Sequence, residues 1–434
     1  MDLMRHATQH DRMQEVFSVF SKLPDTSYLH WDELRRRNPP SNLSLEEWWL
    51  ALKLRRKSLY RPLPCKDKHG NCFQYALPDT VLQLLHKIDF NAGASLGAWD
   101  SNLDPALRDR YIFSSLTQEA ISSSLLEGAV ATREAAQDLI RTARTPRDKS
   151  EWMILNNFRA MQQISKIRDQ PLSPELIFEL HRILTSETLD DPNHAGRLRT
   201  APVYVMDTEG LIHHEPPPAN ELHARLKALC AFANDPETGH TFIPPVIRAI
   251  ILHFWLAYDH PFIDGNGRTA RALFYWAMLR HGFWQFEFLS ISGILHKAPA
   301  QYARSFLFTE TDENDLTYFI IHQMETIFQA VQELHKYLER KRMEIQDAEQ
   351  HLQAFRHLNH RQTSFISNIL RHPDRATSLK GYQDMYRVAY ATARSDLMAL
   401  SALDLFTQTR RGKEMFFTPV PDIEFRIKRK TGLV

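Results

Sequence analysis

The segment His260-Pro261-Phe262-Ile263-Asp264-Gly265-Asn266-Gly267-Arg268-Thr269-Ala270-Arg271 gathers a base, a carboxylate, two glycines around an amide side chain, and two arginines into twelve residues. A neutral imidazole at His260 can take a proton from an incoming hydroxyl. Asp264 offers hard oxygen ligands, suited to Mg²⁺ shared with phosphates. Gly265 and Gly267 allow backbone amides to approach a ligand closely. Arg268 and Arg271 each carry a forked donor that matches phosphate oxygens. Base, metal carboxylate, anion loop and arginines are the components of transfer at a phosphorus centre. The Walker pattern GxxxxGK[ST] and the kinase signatures are absent.

Two helices must hold this loop. An apolar run, Val246 to Tyr258, precedes it, and a helical pattern, Ala272 to Leu279, follows. The second helix would turn its N-terminal amides, and the positive end of its dipole, toward a bound anion. Arg268 and Arg271, three residues apart, leave its first turn from neighbouring positions.

The string fits HPFx[DE]GNGRxxR at every defined position and so resembles the signature of Fic-domain proteins. Members of that family typically move AMP from ATP to a protein hydroxyl. The resemblance implies that His260 is the general base toward a Ser, Thr or Tyr, and that Asp264 binds Mg²⁺. It implies that Gly265, Asn266 and Gly267, with the amides of Arg268 and Thr269, hold the α- and β-phosphates. Arg268 would support the β-phosphate and Arg271 the γ-phosphate. Gly267 leaves room for a diphosphate, where the Doc-like branch has a bulky Lys and uses ATP as a kinase does. Tyr302, in Ala298-Pro299-Ala300-Gln301-Tyr302, is the implied adenine-stacking aromatic, with a half-buried core tyrosine as the alternative.

A second motif points to control. Ser123-Ser124-Leu125-Leu126-Glu127-Gly128 lies on an amphipathic pattern from Leu116, and Ser123 and Glu127, four apart, share a helix face. Gly128 can end that helix in the left-handed conformation. By resemblance this is the family's inhibitory motif [ST]xxxE[GN], placed N-terminal to the core. A carboxylate delivered to Arg271 would occupy the γ-phosphate donors. The same Glu127 could instead position water to remove AMP.

Val203-Tyr204-Val205-Met206 and Leu211-Ile212-His213-His214 flank Asp207-Thr208-Glu209-Gly210 and read as a β-hairpin, about 203–214. In the family this is the flap, over which a target segment docks as an added strand. Gly196-Arg197-Leu198-Arg199 resembles the preceding family sequence.

Length and composition bound the rest. The 434 residues, 43% hydrophobic and 24% charged, suit two or three globular domains. The net charge of +1 gives no general attraction to nucleic acid or membrane. No signal peptide and no run of about 18 apolar residues are visible. Three cysteines suggest no disulfide framework and fit a reducing cytoplasm; Cys65, His69 and Cys72 read as a hairpin rather than a zinc site.

The expected fold is mainly α. An irregular, partly helical N-terminal region covers 1–110, with Ser44 capping a helix from Leu45. A helical core with the inhibitory helix (about 116–128), the flap and the catalytic loop (260–271) covers 111–335. A linker helix covers 336–358, and a winged-helix domain covers 359–434, where helices Arg361–Leu370 and Ser378–Tyr386, a third from Ala391, and a hairpin follow in order. From Arg375 on, eleven basic residues stand against six acidic ones. Hence a DNA-binding regulator with a nucleotide-sensing Fic domain stands as the alternative to an autoinhibited adenylyltransferase. A third reading is the same enzyme with another donor, UTP or a CDP-linked alcohol. The implied partners are a protein substrate on the flap, the chain itself by auto-AMPylation, DNA through 359–434, and a second copy of the chain.

Overall fold

The computed structural model describes residues 27–40, 43–100, 105–142, 144–206, 210–235, 242–353, 358–371, 376–411, 414–420 and 423–430. Helices dominate, and the described strands form three small sheets. Besides the helices Trp31–Leu34 and Arg133–Thr142 and short 3₁₀ turns, the elements in chain order are α1 (Leu45–Lys57), β1 (Arg61–Lys66), β2 (Cys72–Tyr75), α2 (Asp79–Asp100), α3 (Pro105–Leu126), α4 (Lys149–Ile167), α5 (Pro174–Thr185), β3 (Val205–Met206), β4 (Ile212–His214) and α6 (Leu222–Asn234). There follow α7 (Pro245–Asp259), α8 (Asn266–Arg280), α9 (Ile291–Lys297), α10 (Pro299–Thr311) and α11 (Thr317–Gln353). The chain divides into two compact units, one of Met1–Ala98 with Phe113–Val331, the other of Trp99–Ile112 with Gln332–Val434.

At the centre of the first unit, α7 packs along α8, and α4, α5 and α6 surround them. Helix α7 is buried nearly all round, as an apolar helix without a polar face must be. Its one arginine is partly satisfied inside: Arg248 Nη1 donates to the Phe232 carbonyl at 2.6 Å and the guanidinium lies over the Phe232 ring, while Nε has no partner. Pro245 opens α7 at a position where its missing N–H costs nothing.

The sequence alone sets a boundary near residue 110, but charged residues of the N-terminal segment are buried against this core. Lys53 of α1 pairs with Asp312 at 2.8 Å, and Arg56 donates to the Tyr318 hydroxyl while stacking on Tyr28. Strand β2 adds backbone bonds, Gln74 N–H to the Asn314 carbonyl and Leu316 N–H to that of Gln74. Ser44 and Glu47 close the expected capping box of α1. Strands β1 and β2 form a hairpin with Cys65 buried and Cys72 exposed, and no cluster fit for a metal occurs among the described residues. No described helix is long and apolar enough to cross a membrane.

The second unit continues with α12 (His360–Arg371), β5 (Thr377–Ser378), α13 (Leu379–Tyr386), α14 (Tyr390–Ala402), β6 (Phe406–Arg411), β7 (Glu414–Pro419) and α15 (Ile423–Lys430). Its sheet runs β5-β7-β6, antiparallel. Phe365, Tyr382, Leu397, Phe406 and Phe417 fill its core. Asp396 of α14 is buried and accepts from Asn359, Arg361 and Tyr382, which fixes α14 against the start of α12. The linker helix expected over 336–358 is the last part of α11, described to Gln353; residues 354–357 and the turn residues 412 and 413 lie outside the described residues.

Candidate functional site

Helix α7 ends on His260, whose backbone is left-handed at φ 45. A non-glycine residue there carries strain of about 1–3 kcal/mol, tolerated where the surroundings hold it. Arg199 does so: its Nε donates to the His260 carbonyl at 2.9 Å, its Nη2 to Pro217 at 2.6 Å, and its own amide to the Pro261 carbonyl. The strap thus runs from the segment before the hairpin to the segment after it.

His260 Nδ1 lies 3.2 Å from the Ala257 carbonyl. A carbonyl only accepts, so Nδ1 carries the proton and Nε2 keeps its lone pair. Burial pushes the imidazole pKa down to about 4, despite the opposing pull of the Glu127 carboxylate. His260 is therefore a neutral acceptor near neutral pH.

The loop beyond it is built by side chains that serve backbone. Asn266 accepts from Phe262 N–H with Oδ1 and donates to the Phe262 carbonyl with Nδ2. His181 of α5 stacks on Phe262 at 3.8 Å. Its Nδ1 accepts from Gly196 N–H, so Nε2–H donates to the Asp264 carbonyl at 2.8 Å. Gly265 caps α8 at φ 81, and a Cβ there would come 2.7 Å from Thr185 Cγ2. Gly265→Ala should therefore cost about 1–3 kcal/mol of stability in denaturant unfolding; an unchanged midpoint would contradict this geometry.

Helix α8 then presents its first turn. Thr269 differs from expectation: its N–H and its Oγ1 both bond to the Gly265 carbonyl. It is the fourth helical residue, past the amides that lack a carbonyl one turn back. Asn266, Gly267 and Arg268 supply the first-turn amides. Arg268, 1% exposed, donates through Nη1 to the Leu184 carbonyl, and its Nη2 lies 3.6 Å from Asp264 Oδ1. Its Nε is buried with no partner. An unsatisfied guanidinium N–H beside a helix N-terminus suits an anion. The Asp264 side chain is 45% exposed at the same place, with Oδ1 also accepting from Gly265 N–H, so the carboxylate is accessible to a hard cation.

Arg271 is occupied. Its Nε donates to Ser123 Oγ at 2.9 Å, and its Nη2 to the Ser123 carbonyl at 3.0 Å and to Glu127 Oε1 at 2.9 Å. Glu127 follows the end of α3, where Ala129 N–H bonds Ser124 and Gly128 N–H bonds Leu125, with Gly128 at φ 87. The carboxylate lies over the first turn of α8: a Cβ on Gly267 would fall on Glu127 Oε1. It is also an electrostatic neighbour of His260 and Arg268.

Tyr302 touches this region through its hydroxyl, which bonds His253 Nε2 at 2.8 Å and faces Arg271; its ring packs near Phe306 and His322. Strands β3 and β4 form the expected hairpin, pairing Val205 with His214 and Met206 with Ile212; residues 207–209 lie outside the described residues. His214 ties its base to Glu310 and to the Tyr258 carbonyl. Tyr204, Val205, Met206 and Ile212 are exposed.

His181 and Arg199 were not singled out as site residues from sequence. Both act on backbone groups far along the chain, which leaves no local signal; only the resemblance at Gly196–Arg199 pointed nearby.

Residues 171–278 match the family model described as the Fic/DOC family. The chain is 28% identical over 211 residues to "Protein adenylyltransferase Fic" of Nematostella vectensis, covering 46% of this chain and 45% of that protein. It is 39% identical over 120 residues to "Protein adenylyltransferase fic-1" of Caenorhabditis elegans, covering 28% and 22%. The chain thus spans less than half the length of these curated relatives. A crystal structure of a Fic family protein from Desulfovibrio desulfuricans G20 shares the fold, with a TM-score of 0.53 at 18% identity over 79% of this chain and 97% of that one. The helix pair, the loop between them and these matches agree: this chain carries a Fic domain.

Proposed function

We propose that this chain is an autoinhibited protein adenylyltransferase. The observation that carries the reading is the pairing of a free acceptor, His260 Nε2, with a glycine-lined helix N-terminus on the same loop. A target Ser, Thr or Tyr oxygen attacks the α-phosphorus of ATP, its proton passes to His260 Nε2, and pyrophosphate leaves with the bonding pair. The amides of Asn266, Gly267 and Arg268 hold the α- and β-phosphates, with Gly265 setting the turn. Arg268 Nε adds a donor to the β-phosphate. Arg271 takes the γ-phosphate once Glu127 has left it. Asp264 would hold Mg²⁺, which neutralises phosphate charge when bound. Tyr302 lies beside Arg271, at the γ-phosphate end of the cradle, a place from which stacking on adenine is less favoured than the sequence suggested.

The target would add a strand to the β3–β4 hairpin, whose exposed apolar edge suits such docking. The hairpin base borders a cavity of about 320 Å³ lined by Arg199, Val203, Tyr204 and Pro217. The C-terminal unit we read as a winged helix. The exposed face of α14 offers Tyr390, Arg394, Ser395 and Met398, a single cation, which favours a protein surface over a DNA backbone. A reducing cytoplasm suits the free cysteines.

The donor is tested by intact mass after incubation of Glu127→Gly protein with ATP, UTP or a CDP-linked alcohol. Addition of one AMP from ATP alone is expected. Modification by either of the others and not by ATP would sink the adenylyl assignment.

A further inference from the structure

Glu119, Ser123 and Glu127 are spaced by four and share one face of α3 and its continuation. Ser123 and Glu127 meet Arg271. Glu119, 1% exposed, reaches elsewhere: its carboxylate accepts from Ser290 Oγ at 2.9 Å, from Ser292 N–H at 3.0 Å, and in a short bond from Ser292 Oγ. All three donors belong to the start of α9, of which Ser290 is the N-cap.

The other side of that turn is held by α8. Ile291 N–H donates to the Tyr275 hydroxyl at 2.9 Å, and that hydroxyl donates to the Leu289 carbonyl at 3.2 Å. Tyr275 stands four residues beyond Arg271 on α8. One turn of chain, Leu289–Ser292, is thus clasped by Glu119 from α3 and by Tyr275 from α8. A carboxylate this buried is stable only with its hydrogen bonds made. A slip of α3 by one residue would move Glu127 by about 1.5 Å and swing it about a quarter turn. It would also strand Glu119.

We propose that Glu119 is a positioning residue that sets the register of α3 against α8 and so holds the Glu127 carboxylate on Arg271. The proposal rests on the reading of Glu127 as an inhibitor. Glu119 makes no hydrogen bond to Arg271; apart from its charge, which also favours the charged form of Arg271, it acts through Glu127. Losing it lowers the fraction of molecules in which Arg271 is blocked, and apparent nucleotide affinity rises by that release.

The test is calorimetric titration of MgATP into full-length protein carrying Glu119→Gln, Glu127→Gly, both, or neither. Glu119→Gln should raise affinity about tenfold, the equivalent of one charge-assisted hydrogen bond. In the Glu127→Gly background only the smaller, direct effect of removing a charge near Arg271 should remain. Ser292→Ala, which removes one donor to Glu119, should shift affinity the same way by less, and it carries the test if Glu119→Gln fails to fold. The proposal is overturned if Glu119→Gln and Ser292→Ala leave affinity unchanged while Glu127→Gly raises it. It is equally overturned if Glu119→Gln shifts affinity by the same factor in both backgrounds, since independent effects add. An unchanged affinity in Glu127→Gly alone would instead remove the inhibitory reading, and Glu119's role with it.

Discussion

Glu127→Gly protein should label itself with AMP about 10- to 100-fold faster than the wild type, measured as incorporation from labelled ATP. The factor follows from one charge-assisted bond of about 1.5–3 kcal/mol, at 1.4 kcal/mol per decade. Arg271 is 1% exposed, and its Nη2 is shared between Ser123 and Glu127. A γ-phosphate arriving there meets a donor already taken and a negative charge directly over Gly267. Misplacement of the reacting phosphorus by an ångström costs about a further 10²-fold. The substitution removes both obstacles, yet it also leaves a buried guanidinium with one partner fewer. Ligand-free Glu127→Gly should therefore melt below the wild type, and ATP should raise its Tm by more than it raises that of the wild type. Equal labelling rates would exclude Glu127 as the brake.

His260→Ala in the Glu127→Gly background should reduce transfer about 10²- to 10⁴-fold, the usual contribution of a general base, with nucleotide affinity retained. In the proposed site the nucleotide would be held by backbone amides and arginines, none of which His260 supplies. The pH profile adds a signature. Burial lowers the His260 pKa to about 4, so the free base persists as pH falls from 7 to about 5, and kcat/KM should decline only toward pH 4. An ordinary imidazole would place that limb near 6.5. Glu127 raises this pKa, so its removal should move the limb lower still. Folding stability runs the other way: as pH falls below about 6.5 the unfolded imidazole gains a proton that the folded one refuses, and stability declines until about pH 4.

The loop was legible in the sequence because its chemistry is contiguous. A base, a carboxylate, two glycines and two arginines between helical patterns constrain one another. The ends of α7 and α8 followed from the apolar run before His260 and from the glycines. Glu127 and Arg271 lie far apart in the chain, and only the resemblance paired them before geometry did. What escaped has a common cause. His181 and Arg199 work by bonding backbone groups, and a backbone N–H or carbonyl has no letter in the sequence; Glu119 bonds two serine hydroxyls and an amide some 170 residues on. Nothing local in the sequence marks Lys53 and Arg56 as buried, because their partners, Asp312 and Tyr318, lie more than two hundred residues on. The place of Thr269 turned on a single-residue count along α8. The amide that looked free is the first to find its carbonyl.

We propose a competent transfer site blocked by the chain's own carboxylate. The most direct test compares three proteins, wild type, Glu127→Gly and Glu127→Gly/His260→Ala, each assayed for ATP affinity and for covalently attached AMP. The expected result is weak binding and little transfer in the first, tight binding and rapid transfer in the second, and tight binding without transfer in the third. Undiminished transfer by the double variant, or wild-type binding as tight as that of Glu127→Gly, would contradict it.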